Sequence, residues 1–555
     1  MKKLKTFSCS FSPRQFFWTS LGILLLATLL RFYQLGNIPH GMTWDEAAIG
    51  YNGYAVFTTR RDEWLKRLPI SFWSFGDYKA PLAIYINGFS TFIFGMNLFA
   101  VRFPFAVAGV LAILGMILFL RSFLEDIEQL SPSKARFWAV VGGGFLMLSP
   151  WHLHYSRAGF ESGMALSFVV WGLYFWQKFW GKFTNIRNYN ENEKYVGWWL
   201  VFSVISFIAS IYTYHSAKIM VPILGLVLLW QRRLQLKKVI KEISISSVLG
   251  GLLLLPFLYD SFFGKGLERA GTLIFSQGLS FVELIKTIGL QTLAHLDPRF
   301  IFLGKTTTLR HGDGQWGVLL FTTGIVCLYA IVFFLKKRLS KRKNDLEING
   351  FNKLFSLSLL LIATGLLPAI IGTEVPHSNR SLLALPGFIL LAITGLQLIS
   401  KISSEVIKRS LLGTLLLIHL VIFSNYLHDY YYNFSRESAA SFQDGYLEAF
   451  EYVIPYEKGL NDKPIVDKII FTSDYGQPYI YALFARKTNP IWYQGGSLIK
   501  YEFKDEVTIG DLERKNTIVV ASNEDELLSK NDQADHIVYG SDGSIRFRIY
   551  LNLER

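Results

Sequence analysis

Two adjacent carboxylates, Asp45 and Glu46, follow the first long apolar run of the chain, within the segment TWDEAAIGY at 43–51. A carboxylate close to a bilayer and beside an aromatic residue such as Trp44 is partly desolvated, which raises its affinity for a proton. Such a group can act as a general base toward a substrate hydroxyl. The structural alternative is that Asp45 or Glu46 caps the helix that follows, since acidic residues favour the first turn.

Four further segments place polar side chains next to a single cation. They are Asp77-Tyr78-Lys79, then His154-Tyr155-Ser156-Arg157 with Glu161, then Tyr212-Thr213-Tyr214-His215-Ser216-Ala217-Lys218, and His377-Ser378-Asn379-Arg380. A lone cation at a membrane boundary is usually an anchor whose head group reaches water. Several single cations on one side of the membrane instead favour a phosphate site, because an anionic leaving group needs such donors.

A possible metal site lies in the segment RHGDG at 310–314, which holds His311 and Asp313. Two polar residues beside glycines are as easily a turn. Further histidines that could be ligands are His152, His154, His215 and His377. The sequence has no HExxH motif and no cysteine cluster. A divalent metal ion therefore stays open as a cofactor, and no other cofactor is expected.

The elements that position these residues are hydrophobic, since the chain of 555 residues is 51% hydrophobic and 18% charged. Apolar runs long enough to cross a bilayer recur along roughly the first four-fifths of it, which predicts a polytopic α-helical membrane protein. The net charge of +14 does not indicate nucleic acid. Its basic residues form short runs between apolar segments, as at 231–241 and 336–343, which is typical of cytoplasmic loops. Cys9 and Cys327 offer no disulfide framework.

The apolar runs predict eleven spans. Their centres lie near residues 24, 110, 144, 170, 204, 225, 250, 326, 362, 391 and 418. The first run follows four basic residues and lacks a small-residue cleavage site after Leu30, which indicates an uncleaved signal anchor. The segment 82–96 is ambiguous, because Asn87, Gly88 and Gly95 interrupt it. It is either a twelfth span or a helix that lies in the membrane interface.

The distribution of Lys and Arg decides between these alternatives. With the N-terminus inside and 82–96 outside, the inner loops are basic, whereas the three short outer loops hold one cation each, namely Arg157, Lys218 and Arg380. A twelfth span would reverse every later loop and violate the positive-inside rule. We therefore expect a plasma (inner) membrane protein with a cytoplasmic N-terminus and two large outer loops, at 36–100 and 259–315.

The tail from residue 428 has a different composition. Strand-like runs (DKIIFTSD, NTIVVAS, HIVYGSD and IRFRIYLNL) follow a helical stretch at 445–452. This alternation predicts a small extracytoplasmic α/β domain at 428–555, after a membrane domain at 1–427.

Taken in chain order, the motifs resemble the GT-C superfamily of membrane glycosyltransferases. They are Asp45-Glu46, Lys79-Ala80-Pro81-Leu82, Arg102-Phe103-Pro104, Ser156-Arg157, Tyr214-His215 with Lys218, and Asn379-Arg380 before Pro386. More narrowly, residues 15–425 are similar to bacterial family 39 glycosyltransferases, which are related to protein O-mannosyltransferases and to the aminoarabinose transferases that modify lipid A. The chain departs from that pattern at Ala80, where relatives often have proline, and at Lys218, where arginine is frequent.

The resemblance implies an inverting transfer of a sugar from a polyprenyl-phosphate donor to an acceptor hydroxyl outside the membrane. Asp45 would accept the hydroxyl proton, and Glu46 would orient the acceptor or the base. The donor phosphate would be held by Lys79, Arg157, Lys218 and Arg380. Other substrate contacts would come from Asp77, Tyr78, Glu161, Tyr214, His215 and His311. The acceptor is a protein, a lipid or a polysaccharide.

Two other functions also require many spans and polar residues at the outer face. A transporter or flippase for a lipid-linked sugar would place charges near the bilayer midplane, whereas the predicted spans are nearly free of charge. A polysaccharide polymerase would work on the same side but consume an oligosaccharide-diphosphate donor.

Overall fold

The computed structural model describes residues 9–185, 196–264, 271–339, 349–525 and 534–553, so the second part of the basic run at 336–343 lies outside the described residues. The α-helices up to residue 263 are α1 (Pro13–Phe32), α2 (Trp44–Thr59), α3 (Pro81–Phe94), α4 (Leu98–Asp126), α5 (Pro132–Met147), α6 (Pro150–Tyr155), α7 (Glu161–Asn185), α8 (Val196–Ile211), α9 (His215–Gln231) and α10 (Ile240–Phe263). Those that follow are α11 (Phe281–Leu296), α12 (Pro298–Phe302), α13 (Phe321–Leu339), α14 (Asn349–Ile370), α15 (Ser378–Ser381), α16 (Leu385–Ser400), α17 (Glu405–His428), α18 (Ser435–Glu437), α19 (Tyr446–Lys458), α20 (Pro478–Arg486), α21 (Pro490–Gln494) and α22 (Ile509–Leu512).

Each predicted span centre falls inside one of these helices. Within the described part of the chain, six helical segments are long and apolar enough to cross a membrane: Pro13–Phe32, Leu98–Asp126, Leu236–Phe263, Lys353–Ile370, Ser378–Ser400 and Glu405–Glu437. Shorter apolar helices include α3, α8 and α9. The chain is therefore a multi-pass membrane protein, while the number of eleven spans and the side on which each loop lies stay predictions.

Small residues allow close helix packing at the centre of the bundle. Gly143 in α5 lies so near α4 that an added Cβ would stand 2.3 Å from Ile117 Cγ1. Gly142 faces Leu120 in the same way, at 2.1 Å. Glycine at a helix interface permits this approach because it has no side chain. Close contact matters in a membrane, since lipid provides no hydrophobic driving force between helices and van der Waals packing stabilises their association instead. These helices carry the short loops in which the candidate residues stand.

The segment between α1 and α4 is ordered by local caps and by a hairpin. Helix α2 begins at the N-cap Thr43, and strands β1 (Phe72–Ser74) and β2 (Asp77–Lys79) pair antiparallel before α3. Helices α2 and α3 approach closely at two glycines, where an added Cβ on Gly53 would lie 2.7 Å from the amide nitrogen of Gly88. Asn87 and Gly88, which make 82–96 ambiguous in sequence, thus lie against α2.

The tail forms a mixed five-stranded sheet. Its strands are β3 (Lys468–Thr472), β4 (Tyr501–Lys504), β5 (Thr517–Ala521), β6 (His536–Tyr539) and β7 (Ile545–Asn552), in the spatial order β4-β3-β5-β7-β6. Strand β3 runs parallel to β4 and β5, whereas β7 is antiparallel to β5 and β6. Strand β4 was not predicted, because its four residues YEFK include none of the β-branched residues that favour strands.

The hydrophobic core of the tail is shared with the segment before α4. Ala47 and Tyr51 of α2 pack in one cluster with Phe471, Tyr481 and Phe547. The hydroxyl of Tyr481 donates to the carbonyl of Met42 at 2.7 Å. The tail therefore packs directly against the helix that carries Asp45.

Candidate active site

Asp45 occupies the first turn of α2 but does not cap the helix. Thr43 is the cap, because its hydroxyl accepts the N–H of Glu46 at 3.1 Å and the Glu46 carboxylate accepts the N–H of Thr43 at 3.0 Å. This is a capping box, which satisfies two backbone donors at the helix start. The carboxylate of Asp45 is consequently available for contacts outside the helix.

The side chain that Asp45 meets is Lys79, at the end of β2. The ammonium of Lys79 donates to Oδ1 of Asp45, and the two groups form an ion pair. The side chain of Asp45 is 29% exposed, whereas that of Lys79 is 8% exposed. The base predicted from sequence and one predicted phosphate ligand are thus brought together across 34 residues, with the carboxylate on the more open side.

Glu46 has a different environment from its neighbour. Its oxygens accept from Arg102 of α4, with Nε–Oε1 at 2.7 Å and Nη2–Oε2 at 3.2 Å, and from the N–H of Gly159 at 2.9 Å. The side chain is 1% exposed. In this structure Glu46 has no open face toward a substrate, and it acts by tying α2 to α4 and to the segment before α7.

A small cleft lies next to Lys79 and contains three of the predicted residues, Tyr78, Lys79 and Lys218. Its other walls are Ile70, Ser71, Ala80, Pro81, Ile211, Tyr212 and Phe257. The two lysines come from the β1–β2 hairpin and from α9, which are more than a hundred residues apart in sequence. Two lysines that border one cleft favour an anion beside it, because charge-assisted hydrogen bonds are among the strongest in proteins.

The N-terminus of α3 opens into the same cleft. Ala80 is the N-cap and provides no side-chain hydrogen bond to the first turn, and Pro81 is the first helical residue. The amide of Leu82 donates to the carbonyl of Tyr212 at 2.9 Å, which holds this helix end against the end of α8. A helix N-terminus carries a partial positive charge that favours anions. Ala80, where the family often has proline, thus occupies the N-cap.

Two further residues support this cleft: Tyr212, which the sequence marked only as part of the segment 212–218, and Asp260, which was not predicted. The hydroxyl of Tyr212 donates to the carbonyl of Leu253 at 2.8 Å and accepts the N–H of Phe257 at 3.1 Å, so it fixes α8 against the α10 segment before Asp260. Asp260 in turn accepts from the hydroxyl of Ser71. A signal was present in the sequence, because Asp260 is the one acidic residue in the apolar run 243–263.

The predicted phosphate ligand Arg157 lies elsewhere. Its guanidinium is fully buried and donates to the carbonyls of Leu30, Arg31, Tyr33 and Ile38, at 2.8 to 3.1 Å. The rings of Tyr430 and Tyr431 pack against it. Its Nη1 and Nη2 donors are committed to backbone oxygens, and its Nε is buried without a hydrogen-bond partner among the described residues. Arg157 therefore holds the segment after α1 in place, and its burial closes it to a phosphate in this structure.

Arg380 lines neither the cleft nor the neighbourhood of Asp45. Its guanidinium forms an ion pair with Glu374 at 3.1 Å and is 23% exposed. His377 also contacts Glu374, with Nε2–Oε2 at 3.4 Å. A different cation reaches the base region instead: the guanidinium of Arg310 lies 4.5 Å from the ring of Trp44, next to Asp45 in the chain. The sequence analysis assigned no role to Arg310, which belongs to the segment RHGDG at 310–314.

His311 and Asp313 line a second cavity together with His154, Tyr155 and Ser378. The carboxylate of Asp313 accepts the N–H groups of Gln315 and Trp316 at 3.0 and 2.5 Å, so the segment is a turn. Burial raises the pKa of Asp313 to about 7 and lowers that of His154 to about 4. Within the described residues, no group of three or more His, Cys, Asp or Glu side chains could hold a metal ion.

The remaining predicted contacts are distributed around these features. Asp77 accepts the N–H of Tyr78 at 2.7 Å in the hairpin that carries Lys79. Tyr214 and His215 begin α9, one turn before Lys218, and Glu161 begins α7. The imidazole of His311 lies near that of His377, with 4.6 Å between ring centroids and 43° between the ring planes. The structure thus pairs Asp45 with Lys79, which borders one cleft together with Tyr78 and Lys218. Arg157, Arg380 and His311 lie outside that cleft.

Comparisons with known proteins give similarities in structure only. No protein-family model matches the sequence, and no curated protein matches it. The oligosaccharyltransferase of Archaeoglobus fulgidus, tethered with an acceptor peptide, is similar at 14% identity and a TM-score of 0.49, over 96% of this chain and 74% of that one. ArnT from Cupriavidus metallidurans in the apo state is similar at 11% identity and a TM-score of 0.46, over 96% and 97%.

The same ArnT bound to undecaprenyl phosphate is similar at 12% identity and a TM-score of 0.44, over 96% of this chain and 97% of that one. These neighbours are GT-C glycosyltransferases, the superfamily that the motifs of this chain resemble.

Proposed function

We propose that the protein is an integral membrane glycosyltransferase that moves a sugar from a polyprenyl-phosphate donor to an acceptor hydroxyl, with Asp45 as the general base. The observation that supports this most directly is the contact between Asp45 and Lys79, together with the cleft that Lys79 shares with Lys218. A proton acceptor therefore lies beside a group of anion-binding donors. That is the pairing which transfer from a phosphate-linked sugar requires.

The reaction forms one bond and breaks one bond at the anomeric carbon. The acceptor oxygen attacks this carbon while its proton passes to the carboxylate of Asp45. The bond between the anomeric carbon and the phosphate oxygen breaks, and its electron pair leaves with the lipid phosphate. Because attack and departure occur on opposite faces, the configuration inverts. Lys79 and Lys218 stabilise the departing anion, so no general acid is needed.

The ion pair of Lys79 with Asp45 also gives the base a defined position before substrate binds. Lys79 is held by the hairpin, whose turn residue Phe75 lies 5.9 Å from the ammonium. A donor phosphate in the cleft would share Lys79 with Asp45 and so place the anomeric carbon near the carboxylate. Positioning of this kind lowers the barrier by removing motional freedom before the chemical step.

The decisive experiment measures release of free lipid phosphate from a panel of polyprenyl-phosphate sugars by the purified protein in vesicles. Asp45→Asn is expected to lower turnover by about 10²- to 10⁴-fold, the contribution typical of a positioned base. Turnover equal to wild type would remove Asp45 from this role. Exclusive use of an oligosaccharide-diphosphate donor would identify a polymerase instead.

Asp62→Asn is the matched control for this change. Asp62 lies in the same outer segment, and its Oδ1 accepts the N–H groups of Trp64 and Lys66 at 3.0 and 2.8 Å, which an asparagine oxygen also accepts. The control is expected to keep full activity. A similar loss in both variants would indicate that charge in the whole segment matters, and not Asp45.

We also propose that this site lies on the extracytoplasmic side, as the basic loops predict. Single cysteines at the exposed positions Lys286 and Arg233 test it, in a chain that lacks Cys9 and Cys327. A membrane-impermeant maleimide is expected to label Lys286→Cys in intact cells, and Arg233→Cys only after permeabilisation. The opposite pattern would reverse the orientation.

A further inference from the structure

A large cavity lies among the apolar helices, lined by residues other than those of the candidate site. It has a volume of about 320 Å³ and is bounded by α5, α13, α16 and α17. Its wall includes Phe137, Phe145 and Val326 on the bundle side and Leu412 and Leu416 on α17. An apolar cavity of roughly 150 Å³ in a protein core stays dry and takes up small hydrocarbons, so this one has room for a longer chain.

Helix α17 stands away from the bundle along this cavity. An added Cβ on Gly413 would meet no atom of the described residues within 4 Å, although Gly413 lines the cavity. In the segment Glu405–Glu437, which contains α17, only 17% of the apolar stretch of 18 residues is buried. The corresponding share for the segment Ser378–Ser400, which contains α16, is 94%. The gap is therefore open next to the backbone of α17, and an apolar chain can enter it from the bilayer.

One end of the cavity carries positive charge. Arg409 lines it, and Lys408 is the preceding residue; both form ion pairs with Glu405, at 3.6 Å and 2.5 Å. Burial raises the pKa of the nearby Cys9 thiol, and the charges of Lys408 and Lys134 oppose that rise. The starts of α1, α5 and α17 thus bring basic residues to one membrane face, where two cations contact one carboxylate.

The opposite end of the cavity is polar, and Nε2 of His419 there is buried without a hydrogen-bond partner among the described residues. The hydroxyl of Thr322 and Nδ1 of His419 form a hydrogen bond of 2.6 Å. The wall between the two ends is formed by apolar side chains and favours an apolar occupant, whereas the mouth at Arg409 favours an anion. A two-part ligand with a hydrocarbon chain and a phosphate meets both conditions.

We propose that this cavity binds an acyl chain of an anionic phospholipid, whose phosphate lies at Arg409. The lipid comes from the leaflet at the face where α17 begins. The donor lipid of the proposed reaction is a different molecule, because its phosphate must reach Lys79 and Lys218, which lie at the face where α1 ends. The bound chain fills the space behind α17 and supports the helix whose continuation packs Tyr430 and Tyr431 against Arg157.

The test uses the full-length protein in vesicles that contain phosphatidylglycerol with a diazirine on one acyl chain. A parallel set contains phosphatidylcholine with the same chain. After photolysis, peptides of α17 and α5 that line the cavity are expected to carry at least a threefold excess of the phosphatidylglycerol label. Equal labelling by the two lipids would overturn the anionic part of the proposal.

Two substitutions locate the site. Gly413→Trp fills the cavity and is expected to remove most of the label, whereas Leu417→Trp is the control, since Leu417 is 64% exposed and does not line the cavity. Arg409→Gln is expected to reduce the phosphatidylglycerol signal to the phosphatidylcholine level. Unchanged labelling of Gly413→Trp would overturn the proposal. If the Gly413→Trp variant does not fold, Gly413→Leu is used in its place.

Competition identifies the lipid class. Unlabelled phosphatidylglycerol is expected to displace the probe, and an equimolar amount of a polyprenyl phosphate is not. Displacement by the polyprenyl phosphate at the same concentration would assign the cavity to the donor tail and overturn the phospholipid proposal.

Discussion

Arg102 and Glu46 form an ion pair that is almost closed to solvent, with side chains 0% and 1% exposed. The remaining donors of Arg102 meet the carbonyls of Pro39 and Gly41, each at 2.8 Å. One guanidinium therefore joins α4, the start of α2 and the loop between α1 and α2. Asp45 precedes Glu46 in the first turn of α2, so this arrangement also fixes the position of its backbone.

The first prediction concerns the stability that this pair provides. Glu46→Ala leaves the Arg102 guanidinium buried without its carboxylate, so the free energy of unfolding is expected to fall by about 3 to 5 kcal/mol. Thermal unfolding of the purified protein measures the loss. Asp45→Ala is the comparison, and its loss should be smaller, because the side chain of Asp45 is 29% exposed whereas that of Glu46 is 1% exposed. Equal effects at both positions would contradict the division of roles between the two carboxylates.

The second prediction concerns donor binding in the cleft. Lys218→Ala removes one charged donor, which is worth about 1.5 to 3 kcal/mol, so KM for the polyprenyl-phosphate sugar is expected to rise about 10- to 100-fold. Lys218→Arg, the residue frequent in the family, should restore most of the affinity. Lys286→Ala changes an exposed lysine outside the cleft and should leave KM unaltered. A rise in acceptor KM with donor KM unchanged would place Lys218 on the acceptor side.

The third prediction separates Arg157 from the donor site. Arg157→Ala removes four hydrogen bonds to backbone carbonyls after α1 and is expected to lower the unfolding temperature by several degrees. The folded fraction that remains should show an unchanged donor KM. Kinetics must therefore be normalised to folded protein. A large increase in donor KM without a loss of stability would return Arg157 to the role expected from its motif.

The fourth prediction concerns the pH dependence of stability. The pKa of Asp313 is raised to about 7 by burial, above its ordinary value near 4. Between about pH 4 and pH 7 the Asp313 carboxyl group releases its proton in the unfolded chain but keeps it in the folded protein. The free energy of unfolding therefore falls as pH rises, and the stability that the protonated Asp313 contributes is lost by about pH 7. At about 1.4 kcal/mol for each pKa unit, the full effect is about 4 kcal/mol.

Asp313→Asn isolates this effect, because the amide oxygen can still accept the N–H groups of Gln315 and Trp316. The unfolding temperature of the wild type relative to Asp313→Asn is expected to decrease between pH 5 and pH 8. Both proteins are compared in the same detergent, so that other titrating groups cancel. A difference that is constant across this range would show that Asp313 does not carry the shift.

The sequence by itself determined the membrane character and the residues that could do chemistry. Apolar length is a local property, and for that reason every predicted span centre falls in a helix. Local chemistry also marks the adjacent carboxylates at 45 and 46. Strand β4 escaped prediction because its four residues owe their conformation to pairing with β3, which is a contact between distant segments.

Only the tertiary structure decided which candidates share a site. The four single cations have similar sequence contexts but different neighbours in the structure. Lys79 and Lys218 border one cleft, whereas Arg157 is enclosed by backbone carbonyls and Arg380 is paired with Glu374. The two carboxylates likewise diverged, since the capping box and Arg102 take up Glu46 while Asp45 remains partly open. The physical reason is that burial and partners arise from packing between segments far apart in the chain, and a residue's own motif does not specify them.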